Sequence, residues 1–162
     1  MSQVNVGKEY SFWRVSWDSR LASAFDKARL ENLGFEVYFF DFPPEVKLTA
    51  EQHKALFEAC KRYGGLAYRP DFIVYGYGKL FFWETKHRDR DVEEAIEDRF
   101  FIVPFTQYYM LKAWRKTTKK PVYLSIYFNK DWLGVQDIKQ LTVLQEIYSN
   151  KHHEKFVKIS LN

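Results

Sequence analysis

Two short runs in the middle of the chain hold residue types suited to hydrolytic chemistry: Arg69-Pro70-Asp71-Phe72-Ile73-Val74 and Phe82-Trp83-Glu84-Thr85-Lys86. Alternate residues of a strand point to the same face, so Glu84 and Lys86 project together. If the two runs pair as a hairpin, Asp71 lies beside Glu84, and two carboxylates and an ammonium meet at one point. The aromatic and β-branched neighbours predict burial of that point, where unliganded ions are costly. A divalent cation held by Asp71 and Glu84 offsets the cost. Oxygen-only ligation, with no His or Cys cluster nearby in sequence, selects Mg²⁺ or Mn²⁺ over Zn²⁺. Such a cation polarises a phosphoryl oxygen and lowers the pKa of a bound water. Lys86 is placed to orient or deprotonate that water and to neutralise the charge that develops. Thr85 faces the other side of the strand and offers its backbone carbonyl as a further ligand. The bland alternative is a solvated hairpin carrying the same three residues. The greasy flanks Phe72–Val74 and Phe81–Trp83 argue against it, because buried charges are rare unless paired or liganded.

The surrounding pattern supplies elements to position these groups. Leu21, Phe25 and Ala28 recur at helical spacing between about Ser19 and Leu33, with Gly34 suited to the stop. Phe35 to Phe42 reads as a strand ended by Pro43-Pro44. Thr49 and Gln52 form a capping box that opens a second helix toward Tyr63, ended by Gly64-Gly65. Strands at Asp71–Tyr75 and Lys79–Lys86 flank Gly76-Tyr77-Gly78, short enough for a hairpin turn. Both are apolar on both faces, as expected of strands covered on two sides. Asp91 to Asp98 reads as a loop or short helix, and a helix follows from about Pro104 to Thr117, with Pro104 in its first turn. Val122 to Phe128 is a further strand. Ile138, Leu141, Leu144 and Ile147 predict a closing helix over Asp137–Ser149. The expected order is α-β-α-β-β-α-β-α, an α/β fold with a central mixed β-sheet flanked by helices.

This arrangement resembles the PD-(D/E)XK nuclease superfamily, with Pro70-Asp71 and Glu84-Thr85-Lys86 supplying the motif on two adjacent strands. The resemblance covers roughly Asp18 to Phe128 and implies a restriction-endonuclease-like core. It implies that Asp71 and Glu84 bind metal and that Lys86 assists the attacking water. Many members add an acidic residue from the first helix. Asp18 shares a face with Leu21 and Phe25 and is the candidate, although it equally suits an N-cap role; Asp26 and Glu31 compete with it. Gln107, on the face of Leu111 and Trp114, resembles the glutamine that RecB-like and resolvase-like members direct at the active site and DNA. A polar residue in a helix's first turn is its plain alternative.

Several cations are candidates for contact with DNA. Arg88 leaves the sheet near the expected metal and suits a phosphate, though a self-paired loop with His87, Asp89 and Arg90 explains it as well. Lys112, Arg115, Lys116, Lys119 and Lys120 form a cationic helix end and turn, also an ordinary complement to a helix C-terminus. His152-His153 has only Glu154 nearby and reads as exposed. The net charge of +4 and pI near 9.0 permit an anionic partner without requiring one.

The 162 residues, 46% hydrophobic, fit a single nuclease domain over 1–162 with a real core. The single cysteine, Cys60, excludes an internal disulfide and a cysteine-held cluster, which disfavours a Cas4-like exonuclease; it reads as a small buried hydrophobe. The polar N-terminus and short apolar runs predict no membrane segment and a cytoplasmic protein, in a host cytoplasm if viral. Small size and the Lys86-His87-Arg88-Asp89 extension resemble Holliday-junction resolvases, whose symmetric substrate implies a homodimer. The expected function is therefore Mg²⁺-dependent hydrolysis of DNA phosphodiester bonds, on branched DNA. A single-strand or nicking nuclease of a phage or other mobile element is the neighbouring reading. A non-catalytic nucleic-acid-binding module of the same fold is the alternative from another class.

Overall fold

The computed structural model describes residues 20–39, 47–63, 68–150 and 153–161. In chain order the elements are α1 (residues 20–32), β1 (Glu36–Tyr38), α2 (Ala50–Arg62), β2 (Phe72–Gly76) and β3 (Lys79–Arg88). Then follow α3 (Val92–Asp98), β4 (Phe100–Pro104), α4 (Phe105–Thr118), β5 (Val122–Phe128) and β6 (Asp131–Asp137). A 3₁₀ turn at Ile138–Gln140 leads into β7 (Val143–Ser149) and β8 (Glu154–Ser160). Helix α1 stops at Gly34, whose φ is +96°. A Cβ there would lie 2.1 Å from the Tyr77 hydroxyl, which donates to the Leu33 carbonyl at 2.7 Å. Helix α2 opens on the expected box, Thr49 and Gln52 each closing on the other's backbone N–H.

The main sheet has the order β1-β2-β3-β5-β6, with β3 and β5 parallel and the other pairs antiparallel. The β2–β3 hairpin turns on Tyr77 and Gly78, both at positive φ, while Gly76 still pairs with Lys79. This is the two-residue loop that suits the twist of antiparallel strands. One sheet face packs Phe72, Val74, Phe81 and Trp83 against Leu30 of α1. The opposite face packs Ile73, Phe82, Val122 and Leu124 against Tyr108, Leu111 and Trp114 of α4. A second antiparallel sheet, β4-β8-β7, adds Phe101, Val103, Val157 and Ile159 to that core. Phe82 and Leu111 are fully buried, and each such side chain contributes about 1.5–3 kcal/mol. The result is the expected mixed sheet between helices, with both β2 and β3 buried on their two faces at mid-strand.

Four elements differ from the expected order. Asp137–Ser149 is not a helix: Asp137 caps only the 3₁₀ turn, and Val143–Ser149 is strand β7 paired with β8. The β-rich Thr142-Val143 and Ile147-Tyr148 pairs favour the strand once β8 offers a ladder. Strands β4, β6 and β8 had no counterpart in the expected order. Strand β6 is mostly exposed and lies at a sheet edge, so it carries little hydrophobic alternation of its own. Pro104 ends β4 and caps α4 rather than sitting in the helix's first turn. The short helix at Val92–Asp98 settles the alternatives held open for that acidic stretch, with Asp91 accepting from Glu93 N at 2.8 Å. Gly64-Gly65 and the end of the Phe35–Phe42 run lie outside the described residues.

Candidate active site

The site lies on the α4 face of the main sheet, where β2 begins and β3 leaves the core. Phe72 pairs with Trp83, so the preceding Asp71 stands opposite Glu84. Glu84 is fully buried on β3, its side chain 1% exposed against 12% for Lys86. Its Oε1 accepts from Asp71 N at 3.1 Å and its Oε2 lies 3.0 Å from Lys86 Nζ. Asp71 Oδ2 accepts from Thr85 N at 2.9 Å. The loop residue and the strand thus clasp each other, each carboxylate taking a backbone N–H from the other segment. That arrangement fixes both carboxyl groups beside each other, one just before β2 and the other on the neighbouring β3.

Lys86 Nζ faces three oxygens: Glu84 Oε2, the Tyr68 hydroxyl at 2.9 Å, and Gln107 Oε1. The Tyr68 hydroxyl in turn donates to Glu84 Oε2. Gln107 reaches the site from the first turn of α4, as its place on the face of Leu111 and Trp114 predicts. Tyr68 was not foreseen. It lies outside any strand, and its position depends on Trp114 Nε1 donating to its carbonyl at 3.0 Å. One tyrosine among eleven carries no periodic signal that would single it out.

The electrostatics follow from this burial. Desolvation pushes the Glu84 carboxyl from 4.5 up to about 7, with Lys86 opposing the rise and Asp71 adding to it. Burial also carries the Tyr68 phenol far above its ordinary range, reinforced by the charge of Glu84 and their hydrogen bond. One ammonium therefore does not fully compensate the buried carboxylate, and additional positive charge fits here. The Asp71 and Glu84 carboxylates offer oxygen donors there, of the kind suited to a hard divalent cation. Among the described residues no group of three or more His, Cys, Asp or Glu forms a metal cage. Asp71 and Glu84 would by themselves supply only part of a cation's coordination shell.

The first-helix acids part company. Asp18 lies outside the described residues. Asp26 is fully buried on the other face of the sheet, accepting from Trp83 Nε1 at 2.9 Å, Thr85 Oγ1 at 2.8 Å and Tyr127 OH at 2.8 Å. With those donors engaged, Asp26 ties β3 to β5 from behind. Glu31 is paired with Lys27 at 3.1 Å on the exposed side of α1.

Arg88 continues the Glu84–Lys86 face, but its guanidinium is engaged with backbone: Nε and Nη2 donate to Ile102 O at 3.1 and 2.6 Å, and Nη1 to His87 O at 2.9 Å. Burial lowers its pKa from the ordinary value, opposed by Tyr68 and Glu84. Its role here is to clamp β4 onto β3. Arg115 grips both oxygens of Asp137 at 3.1 Å, half-buried, which gives it a structural partner. Lys112, Lys116, Lys119 and Lys120 are exposed at the far end of α4. Lys116 lies nine residues beyond Gln107, about 13 Å further along the helix. Cys60 is half-buried on α2 and free, and His153 is exposed.

No family model matches this sequence, and no curated protein matches it. Among solved structures the chain is similar to Hjc, a Holliday junction resolvase from the archaeal hyperthermophile Archaeoglobus fulgidus. The TM-score is 0.51 at 11% sequence identity, covering 88% of this chain and 83% of that one. The likeness is one of fold.

Proposed function

We propose that this chain is a divalent-metal-dependent phosphodiesterase of the PD-(D/E)XK type that hydrolyses DNA, with branched DNA as its preferred substrate. The observation that carries the reading is the meeting of Asp71, Glu84, Lys86 and Gln107 around one buried carboxylate. A fold shared with a protein described as a Holliday junction resolvase supports the choice of DNA and of a branched substrate. A two-fold-symmetric junction would be met by a homodimer placing one site on each of two strands.

Asp71, Glu84 and the Thr85 carbonyl would hold Mg²⁺ or Mn²⁺. When bound there, the cation supplies Lewis-acid polarisation of a phosphoryl oxygen and an acidified water. The chain's own residues do the rest. The ammonium of Lys86 has three N–H donors and faces three oxygens. A phosphate oxygen or water reaches it by replacing one of these, and the neutral Gln107 amide is the partner whose displacement costs least. Tyr68 keeps Lys86 and Glu84 in register during that exchange. Held this way, Lys86 is a fixed donor for charge developing on the phosphate and for the attacking water. Lys112 and Lys116 are proposed phosphate contacts for DNA extending beyond the site.

The test is a cleavage panel of single-stranded, duplex, flap and four-way DNA with Mg²⁺ and Mn²⁺. The expected result is cleavage of the branched substrates with metal and none in chelator. Asp71→Asn and Glu84→Gln should remove cleavage while DNA binding persists. Binding of every substrate without cleavage of any would instead identify a non-catalytic binding module. Equal loss of folding in both variants would assign the motif a structural role.

A further inference from the structure

On the sheet face opposite the active site, a groove of about 650 Å³ runs between α1, the β2–β3 turn, the start of β5 and the edge strand β6. Its floor is apolar, from Leu33, Phe81 and Tyr123, and its rim carries Arg29, Lys79, Lys119 and Lys120. No acidic side chain lines it among the described residues. Trp132 stands in its wall with 40% of its surface exposed. The indole is fixed: Nε1 donates to Ser125 Oγ at 3.0 Å, and the Arg29 guanidinium lies 3.7 Å from the ring centroid. Lys119 also borders a neighbouring hollow of about 330 Å³ shared with Lys112, Lys116 and Lys139, so the cationic band continues around the end of α4.

We infer that this groove is a second nucleic-acid site, distinct from the catalytic one, that takes a single-stranded segment of DNA. An orderly cationic rim tracks phosphates, while a rigid, half-exposed indole with a stacked guanidinium offers a base a flat, polarisable surface. An apolar floor without acids suits bases turned inward and a polyanion outside. Duplex DNA, whose bases are stacked on each other, cannot use the indole. A second copy of this chain is the other occupant an apolar groove invites. A two-fold contact here would set the rim of Arg29, Lys79, Lys119 and Lys120 against the same cationic rim of the other copy, and like charges opposed across an interface disfavour it. The choice of DNA over another single strand rests on the proposed nuclease reading. The test is made in chelator, so failure of cleavage and failure of this groove are separate outcomes.

The experiment is fluorescence anisotropy of a labelled twenty-nucleotide oligo-dT and its duplex counterpart, titrated with the full chain in chelator across a salt series. Lys79→Glu with Lys120→Glu changes two exposed side chains at the rim. The double variant should bind oligo-dT at least tenfold more weakly. Losing two phosphate contacts should also flatten the dependence of log affinity on log salt by about 1.4. Trp132→Ala should weaken oligo-dT about tenfold, within the range for loss of one stacked base, and leave duplex affinity unchanged. Trp132→Phe, which keeps a ring, should restore most of the loss and guards against a folding artefact. Wild-type affinity in the double variant would overturn the inference. So would an equal loss for duplex and single strand in Trp132→Ala, or a wild-type dimer in sedimentation that the lysine reversals alter while oligo-dT binding stays the same.

Discussion

Glu84→Gln should change how stability depends on pH in the metal-free protein. Desolvation raises the Glu84 carboxyl from 4.5 to about 7. At ~1.4 kcal/mol per pKa unit, carrying the charge in the folded state costs about 3 kcal/mol once the pH is well above 7. The folded pKa is the higher one, so the associated stability is fully present below pH 4.5 and is lost as pH rises through about 7. Between pH 5 and pH 8 the wild-type protein should therefore lose about 2.5 kcal/mol through this group. Glutamine carries no charge and has no such loss. It does bring one mismatched pair, because its amide nitrogen must face either Lys86 Nζ or Asp71 N–H. That penalty, about 1–3 kcal/mol, is the same at both pH values. The net effect at pH 8 is therefore near balance, but the difference between the two pH values survives. At ~2–4 °C per kcal/mol for a chain of this size, Tm of the variant relative to wild type should climb by about 5–10 °C from pH 5 to pH 8. Calorimetry or circular-dichroism melts in chelator read this directly. Parallel Tm profiles for the two proteins would refute the claim that Glu84 is a buried carboxyl with too little compensating charge.

Lys86→Ala should lower kcat/KM at least ~100-fold, the scale of a lost donor to developing charge, with Mn²⁺ affinity within a few-fold of wild type in calorimetry. Gln107→Leu removes the partner that a phosphate oxygen or water replaces at that ammonium, so kcat should stay within about threefold of wild type; a tenfold loss would contradict that displacement. Asp26→Ala strands the Trp83, Thr85 and Tyr127 donors on the far face of the sheet. It should destabilise the fold by at least ~3 kcal/mol, measured by urea melts, and a near-neutral effect would contradict the network. Arg115→Ala breaks the half-buried pair with Asp137 and should lower stability by about 1 kcal/mol without altering the salt dependence of DNA binding. Lys112→Ala with Lys116→Ala should do the reverse, and anisotropy together with melts distinguishes the two patterns.

The geometry of the candidate site was legible because it is written in period two: Glu84 and Lys86 share a face whatever the rest of the chain does, and the short Gly76–Gly78 segment brings Asp71 opposite Glu84. The capping box at Thr49 and the helix bearing Gln107 were legible for the same local reason. What failed was decided at long range. Ile138, Leu141, Leu144 and Ile147 satisfy a helical spacing, yet Leu144 remains 54% exposed and the segment gains its ladder only from β8. Strand β6 is recognisable only beside β5, since most of its side chains face solvent. Tyr68 enters the site because Trp114, 46 residues away, holds its carbonyl. Asp26, a competitor of Asp18 for a ligand role in the sequence, is likewise placed at long range: three donors from β3 and β5 use it as a bolt through the back of the sheet.

The most direct measurement is Mn²⁺ binding to the pure protein at pH 8, by calorimetry or electron paramagnetic resonance, in wild type and in Asp71→Asn and Glu84→Gln. The account predicts a saturable site in the wild type that either substitution abolishes while the fold is retained. A wild-type protein that binds no Mn²⁺, or variants that bind it as tightly, would contradict a cation shared by these two carboxylates.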